Sequence, residues 1–395
     1  MNDLSRPEWQ PDTELVHGGV LRSQYGETSE ALFLTQGYVY PTAEAAEARF
    51  KGEDPGFVYS RYANPTVAMF EERMRLLEGA EAARGTASGM AAVATALMSI
   101  VSAGDHIVAA KALFGSCLYI IEDLLPRFGV AYTLVDGKDL DAWRKAMRKN
   151  TKAVFLESPT NPTLEIVDIA GVSKIAHEVG ALVVVDNVFA TPLLQRPLKL
   201  GADVVVYSAT KHIDGQGRCL AGVVLGSNEL IEKAHNFLKH TGPSLSPFNA
   251  WVMLKGLETL PLRVERQTAN AARLADLLAS HRNVTRTLYP GRKDHPQHEL
   301  AMRQMGSGAT MIAFEVKGGK AGAFKVANAL RLIKISNNLG DAKSLITHPG
   351  TTTHQRLTPE VRASLGIGEG MLRLSVGIEA VDDLLADLGK ALDAA

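Results

Sequence analysis

Hydrophobic positions along the chain fall into three textures. Up to about residue 60 the periodicity is weak, and Gly18, Gly19, Gly26, Gly37, Gly52 and Gly56 punctuate short pieces, so residues 1–60 read as an arm. Asn64-Pro65 then opens a helix with Val67, Phe70, Met74 and Leu77 on one face and Gly79 at its end. From there apolar runs recur at 106–110, 130–135, 153–157, 181–186, 203–208 and 222–226, separated mostly by helical stretches or long connections. Continuous β-branched runs predict strands buried on both faces, and their alternation with helices predicts an α/β fold with a mostly parallel, doubly wound sheet over 61–255. Beyond about residue 255 a long charged helical region (254–281) leads into strands at 310–316 and 371–378. A closing helix follows, with Val381, Leu384, Leu385, Leu388 and Leu392 on one stripe. Residues 256–395 therefore read as a smaller α+β domain, with the Gly-, Thr-, His- and Pro-rich stretch 339–370 as an ordered loop.

Composition narrows the function classes. The 395 residues carry 42 Lys+Arg against 43 Asp+Glu, so no global field attracts a polyanion, and neither nucleic acid nor a membrane is an expected partner. The two cysteines, Cys117 and Cys219, fit neither a disulfide framework nor a zinc spacing, and no other metal pattern is expected: in the run HPQHE, His295 and His298 flank Pro296 in what reads as a solvated turn, and His348 and His354 read as structural. The N-terminal residues bring charges and prolines where a signal peptide needs an apolar core, and no run is long enough to span a bilayer. A cytoplasmic protein is the expectation.

In an open parallel sheet, ligands bind beyond the carboxyl ends of the strands, so the residues ending each apolar run carry the chemistry. One run ends in Asp186-Asn187 and the next in Ser208-Ala209-Thr210-Lys211, which brings a carboxylate and an amine to one sheet edge. A lysine there can form an imine with an aldehyde, and the carboxylate can hold a pyridinium nitrogen protonated; this is the pair that pyridoxal phosphate requires. Taken singly, Asp186 could cap a turn and Lys211 could sit on a solvated loop. A phosphate belongs at a helix N-terminus, and Ser88-Gly89-Met90 precedes an apolar helix, although Ser88 would also serve as a plain N-cap. Ser208 and Thr210 add hydroxyls, and Tyr59 and Arg61 offer a phenol and a guanidinium to the same anion.

The ordered set formed by Tyr59-Ser60-Arg61 through Asn64-Pro65, Ser88-Gly89-Met90, Glu157 through Pro162, Asp186-Asn187, Ser208 through Lys211, Ser246-Pro247 and Arg373 through Glu379 resembles the pyridoxal-phosphate enzymes of cysteine and methionine metabolism over nearly the whole chain. The resemblance implies the type I, aspartate-aminotransferase-like fold. It also implies roles: Lys211 bonded to the cofactor, Asp186 on the pyridine nitrogen, Asn161 near the phenolic oxygen, and Ser88, Gly89, Met90, Ser208 and Thr210 around the phosphate. Tyr59 and Arg61 would reach into a neighbouring subunit's site, which makes a dimer the catalytic unit and a homotetramer, a dimer of dimers, the assembly. Arg373 would clamp the substrate α-carboxylate.

Two departures point within the family. The run His212 through Arg218 after the lysine, in place of a Gly-His-Ser-Asp type sequence, is similar to the O-succinylhomoserine sulfhydrylase branch. Where many relatives stack a tyrosine on the ring, this chain has Phe114, which can stack but cannot donate a proton, and the acid role passes to Lys211 or Tyr59. Asn338 stands where relatives have a serine and is expected near the substrate carboxylate or Lys211. The reaction implied is γ-replacement, O-succinylhomoserine and sulfide giving homocysteine and succinate in methionine biosynthesis. Arg218 and Arg49 are candidate cations for the acyl carboxylate, Arg218 also being a candidate for a structural salt bridge. Alternatives are a cystathionine γ-synthase, an O-acetylhomoserine sulfhydrylase, a γ-lyase, or a non-catalytic α/β protein binding a phosphorylated metabolite.

Overall fold

A computed structural model describes residues 9–394; the first eight residues of the expected arm lie outside the described residues. A seven-stranded sheet is built from β1 (Ala82–Thr86), β2 (His106–Ala110), β3 (Ala131–Val135), β4 (Thr151–Glu157), β5 (Leu182–Asp186), β6 (Val204–Tyr207) and β7 (Gly222–Gly226) in the order β1-β7-β6-β5-β4-β2-β3. The five strands from β3 to β6 in that order are mutually parallel, while β7 runs antiparallel to both its neighbours. The departure has a physical cause. A parallel return usually crosses over a sheet face as a helix, whereas β6 and β7 are joined by the loop 208–221, which holds no helix and carries Lys211. Helices cover both faces, and the apolar runs 153–156, 183–185 and Val204–Tyr207 at the sheet centre are buried, as their composition requires.

β1 escaped the sequence reading because AARGT has low strand propensity. Packing selects it instead: a Cβ at Gly85 would lie 2.9 Å from the Leu245 side chain, so only a glycine lets the strand approach. The helix expected from Asn64-Pro65 runs Pro65–Glu78, with the Asn64 side chain accepting from Thr66 N and Gly79 closing it at φ 77°. The expected helical region 254–281 is two helices, Pro247–Leu257 and Leu260–Ser280, because Pro261 lacks an N–H and fits only in a first turn.

A second sheet holds β8 (Val284–Leu288), β9 (Met311–Val316), β10 (Lys334–Ile335), β11 (Leu345–Thr347) and β12 (Met371–Ser375) in the order β10-β11-β12-β9-β8. The expected loop 339–370 is more structured than its composition implies, since it contains β11 and a helix at Pro359–Ser364. The closing helix, Val381–Asp393, buries Leu384, Leu388 and Leu392 against this sheet. The arm leaves Tyr25, Leu34, Val39 and Phe50 exposed. Among the described residues no helix is long and apolar enough to cross a membrane.

Candidate active site

The carboxyl ends of β4, β5 and β6 converge on a cavity of about 240 Å³. β4 ends in Glu157 directly beside Asp186 of β5, and β6 leads into Ser208 and Lys211. Of the residues singled out from the sequence, Ser88, Gly89, Met90, Phe114 and Asn161 line this cavity, as do Asp186, Ser208, Thr210, Lys211 and Arg373. Tyr59 and Arg61 do not. The Tyr59 ring is 39% exposed, and the Arg61 guanidinium sits 5.2 Å and 5.0 Å from the Tyr59 and Tyr62 ring centres while donating to the Lys239 carbonyl.

Lys211 is largely buried, and its Nζ donates to Asn338 Oδ1 at 2.7 Å. Burial, helped by the Arg373 charge, lowers its pKa to about 8. Asp186 has one carboxylate oxygen taken by Val188 N at 3.1 Å, and burial raises its pKa to about 6. Glu157, quoted within a motif but given no role from sequence, is fully buried beside it. Its oxygens accept from Phe114 N at 3.0 Å and Asn161 N at 2.9 Å, tying two cavity walls together, while burial and then Asp186 push its pKa well up. Two buried carboxyls facing an amine and a guanidinium form a site whose protonation a cationic ring nitrogen would reset.

Arg373 lies on β12, which has neighbours on both sides, and is 1% exposed. Nη1 donates to Asn161 Oδ1 at 2.8 Å and Nη2 to the Asn337 carbonyl at 2.9 Å, while Nε is buried without a partner among the described residues. A buried guanidinium fixed on one edge and held at the cavity wall is preorganised for a planar anion. Asn338, expected near the substrate carboxylate or Lys211, accepts from Lys211 Nζ and has its carbonyl 3.4 Å from Arg373 Nη2.

The far end of the cavity is an anion cradle. Ser88 caps the helix Gly89–Met98, and a Cβ at Gly89 would lie 2.4 Å from Ser208 Cβ. That approach brings the first two N–H groups of the helix, those of Gly89 and Met90, beside the Ser208 hydroxyl, while Ala91 N–H is taken by the Ser88 cap at 3.1 Å. The Thr210 hydroxyl, by contrast, is already paired with Ala221, donating to its carbonyl and accepting from its N–H, both at 3.1 Å. An amine, a carboxylate and an aromatic wall at one end, with an N-terminal helix cradle at the other, fit a pyridine ring bearing an aldehyde and a phosphate.

Sequence reasoning missed Cys117, Val188, Asn337, Leu339 and Thr353, all of which line the cavity. Only adjacency to recognised residues could have flagged Asn337, Leu339 and Val188. The two cations proposed for an acyl group are otherwise engaged: Arg49 pairs with Asp54 at 2.6 Å, and Arg218 Nε with Asp214 at 2.7 Å. His295 is buried, not in a solvated turn, with a pKa lowered by burial to about 4.

Comparison with known proteins places these features in a family. Residues 12–393 match the model of the Cys/Met metabolism PLP-dependent enzymes. The O-succinylhomoserine sulfhydrylase of Mycobacterium tuberculosis is 55% identical over 382 residues, 95% of this chain and 94% of that protein. The L-methionine gamma-lyase of Treponema denticola is 44% identical over 382 residues, 96% of this chain and 95% of that protein. A Campylobacter jejuni protein solved with N'-pyridoxyl-lysine-5'-monophosphate superposes with a TM-score of 0.93 at 32% identity, covering 98% of this chain and all of that one. With its type I fold and a cavity suited to the cofactor, the chain belongs to the Cys/Met metabolism PLP-dependent enzymes.

Proposed function

We propose that this enzyme catalyses γ-replacement on an O-acylated homoserine, with O-succinylhomoserine as acyl donor and sulfide as nucleophile. The observation that carries the reading is the Lys211 amine, buried, lowered to about 8 and aimed at Asn338 beside the Arg373 guanidinium. The sulfhydrylase relative at 55% identity favours this donor and nucleophile.

Pyridoxal phosphate, when bound, supplies an electron sink that acidifies the α- and β-hydrogens of an amino acid. The first turn of Gly89–Met98 with Ser208 would hold its phosphate, Thr210 contributing through the wall it forms. Asp186 would keep the ring nitrogen protonated, Phe114 would cover the ring face, and Asn161 would sit by the phenolic oxygen. Tyr59 and Arg61 would serve a second copy's phosphate, which accounts for their absence from this chain's own cavity and makes the homodimer the smallest complete enzyme. Two such dimers would form the tetramer.

Arg373 would orient the α-carboxylate through the edge its present partners leave free. Lys211 Nζ then moves the protons. At pH 7.5 a pKa near 8 leaves roughly a quarter of the amine neutral, against about one part in a thousand at 10.5, so it can take a proton from Cα, carry it, and return it. Phe114 has no proton to give, so Lys211, or Tyr59 from the second copy, protonates the departing carboxylate. Leu339, Val188 and Phe189 wall the cavity and keep water from the reacting carbons.

The test is product analysis with O-succinylhomoserine. Sulfide-dependent homocysteine with little 2-oxobutyrate supports the reading. Cystathionine formed preferentially from cysteine makes the enzyme a synthase, 2-oxobutyrate without a nucleophile makes it a lyase, and faster turnover of the acetyl ester moves the donor assignment.

A further inference from the structure

The helix Leu260–Ser280 buries three polar side chains on one face, Arg263, Gln267 and Asn270, at 5%, 0% and 2% exposure. Their i, i+4, i+7 spacing would ordinarily be apolar on a face turned to the interior. Each gives its N–H groups to backbone carbonyls of another segment. Arg263 Nη1 donates to His212 O at 2.6 Å, and Nη2 donates to Ile213 O at 3.3 Å and Gly256 O at 2.7 Å. One turn on, Gln267 Nε2 donates to Asp341 O at 2.9 Å. Asn270 Nδ2 donates to Gly377 O at 3.1 Å and Glu379 O at 2.9 Å.

The first two of these segments are the ones that carry the amine and its acceptor. Residues 212 and 213 follow Lys211 directly, and residue 341 follows Asn338 by three. The two segments also meet each other where Ala342 N donates to Gly215 O at 2.7 Å. Gly215, at φ +66°, is the residue that lets the lysine turn close over Arg263, since a Cβ there would lie 1.9 Å from Nη1. The Lys211–Asn338 contact, 2.7 Å between residues 127 apart in sequence, is therefore set by two adjacent turns of a single helix. We infer that Arg263 and Gln267 are positioning residues for the Lys211 amine, whereas Asn270, on the same stripe but bonded four and six residues past Arg373, serves packing alone.

The inference rests on Lys211 being the working amine and not on which acyl donor or nucleophile the enzyme prefers. It is tested in the full-length holoenzyme with Arg263→Lys, which loses the fork, Gln267→Met, which keeps the volume and loses the donor, and Asn270→Leu as comparison. The first two should lower kcat about tenfold with KM for the acyl donor within about twofold, and should raise the apparent dissociation constant of pyridoxal phosphate, read from visible absorbance on dialysis, about tenfold. Asn270→Leu should lower the melting temperature with kcat and cofactor retention within about twofold. Three variants that lose melting temperature alike while keeping kcat would overturn the inference, as would losses of kcat and KM that move together in all three. Should Gln267→Met give no folded protein, Gln267→Asn, whose amide falls one methylene short of the Asp341 carbonyl, must show the same split. The kinetics are read on whichever donor the wild type turns over. Failure of the donor assignment thus leaves the test intact, while full turnover by Lys211→Ala would remove its premise.

Discussion

Replacing Glu78 by Gln should make the protein more stable at neutral pH and leave it nearly unchanged in mild acid. Glu78 ends the helix Pro65–Glu78 fully buried, accepts from the Tyr207 hydroxyl at 2.5 Å, and has its pKa raised by burial to about 8. Tyr207 in turn accepts from Asn187 Nδ2 at 2.7 Å, and Asn187 and Tyr207 flank Asp186 and Ser208 in sequence, so this neutral carboxyl lies beneath the floor of the site. In the unfolded chain the same group titrates at 4.5. Between those values the folded state holds a proton that the unfolded state has lost, so stability is fully present below about pH 4.5 and is lost as pH rises toward 8. At pH 7.5, about three pH units above the unfolded value, the loss is about 4 kcal/mol at 1.36 kcal/mol per unit.

A glutamine keeps an acceptor for Tyr207 and has no proton to lose. Urea denaturation midpoints of the holoenzyme at pH 5.0 and pH 7.5 check this. The wild type should lose more resistance between the two than Glu78→Gln does, by an amount equivalent to about 2–4 kcal/mol through the measured m-value. Parallel profiles for the two proteins would refute the assignment of a proton to Glu78, and a variant weaker at both values would show that the Tyr207 hydroxyl bond needs the acid itself.

Lys211→Ala should abolish turnover, by at least about a thousandfold, while the protein still retains pyridoxal phosphate through the cradle at Gly89–Met98, checked by the visible spectrum and phosphate content after dialysis. Arg373→Lys keeps a positive charge but cannot reach Asn161 and Asn337 together while presenting an edge to a carboxylate. KM for the acyl donor should rise about ten- to a hundredfold with a smaller change in kcat, and an unchanged KM would remove Arg373 from substrate binding.

How much of this could be read from the sequence depends on what each residue answers to. The strands β2 and β7 were bounded to the residue because apolar β-branched runs declare burial on both faces by themselves. Lys211, Asp186 and Ser208 were legible because they end such runs, and the sheet delivers strand ends to one edge. β1 was not, since its pairing is fixed by β7 and by the room Gly85 leaves for Leu245. Glu157 sat in view without a role because what matters is its neighbour across the sheet, and register cannot be read along one strand. The polar stripe at Arg263, Gln267 and Asn270 lies in a stretch that its composition marks only as a long charged helical region. Only the fold shows that it faces inward toward carbonyls from three other segments.

Arg218 shows how proximity in sequence misleads about specificity. Seven residues from Lys211, it is well placed on paper to receive a succinyl carboxylate, yet three of its N–H groups are committed. Nε bonds Asp214 Oδ1 at 2.7 Å, Nη2 bonds the Asp214 carbonyl at 2.9 Å, and its own backbone N–H bonds Oδ2 at 2.6 Å. Asp214 is fully buried, so turning the guanidinium toward an acyl chain would strand a carboxylate inside the protein, a loss of several kcal/mol against the about 1 kcal/mol that a half-exposed ion pair to substrate returns. The geometry therefore selects the structural salt bridge. Arg218→Gln should lower stability by about 1–3 kcal/mol, seen as an earlier urea midpoint, while the ratio of kcat/KM for the succinyl and acetyl esters stays within about twofold of the wild-type value. A tenfold fall in that ratio would reinstate Arg218 as the acyl cation. With it unchanged, and Arg49 held by Asp54, neither of the two candidate cations would select the succinyl ester, and under the proposed dimer the next place to seek one is the second copy, which would bring Tyr59 and Arg61.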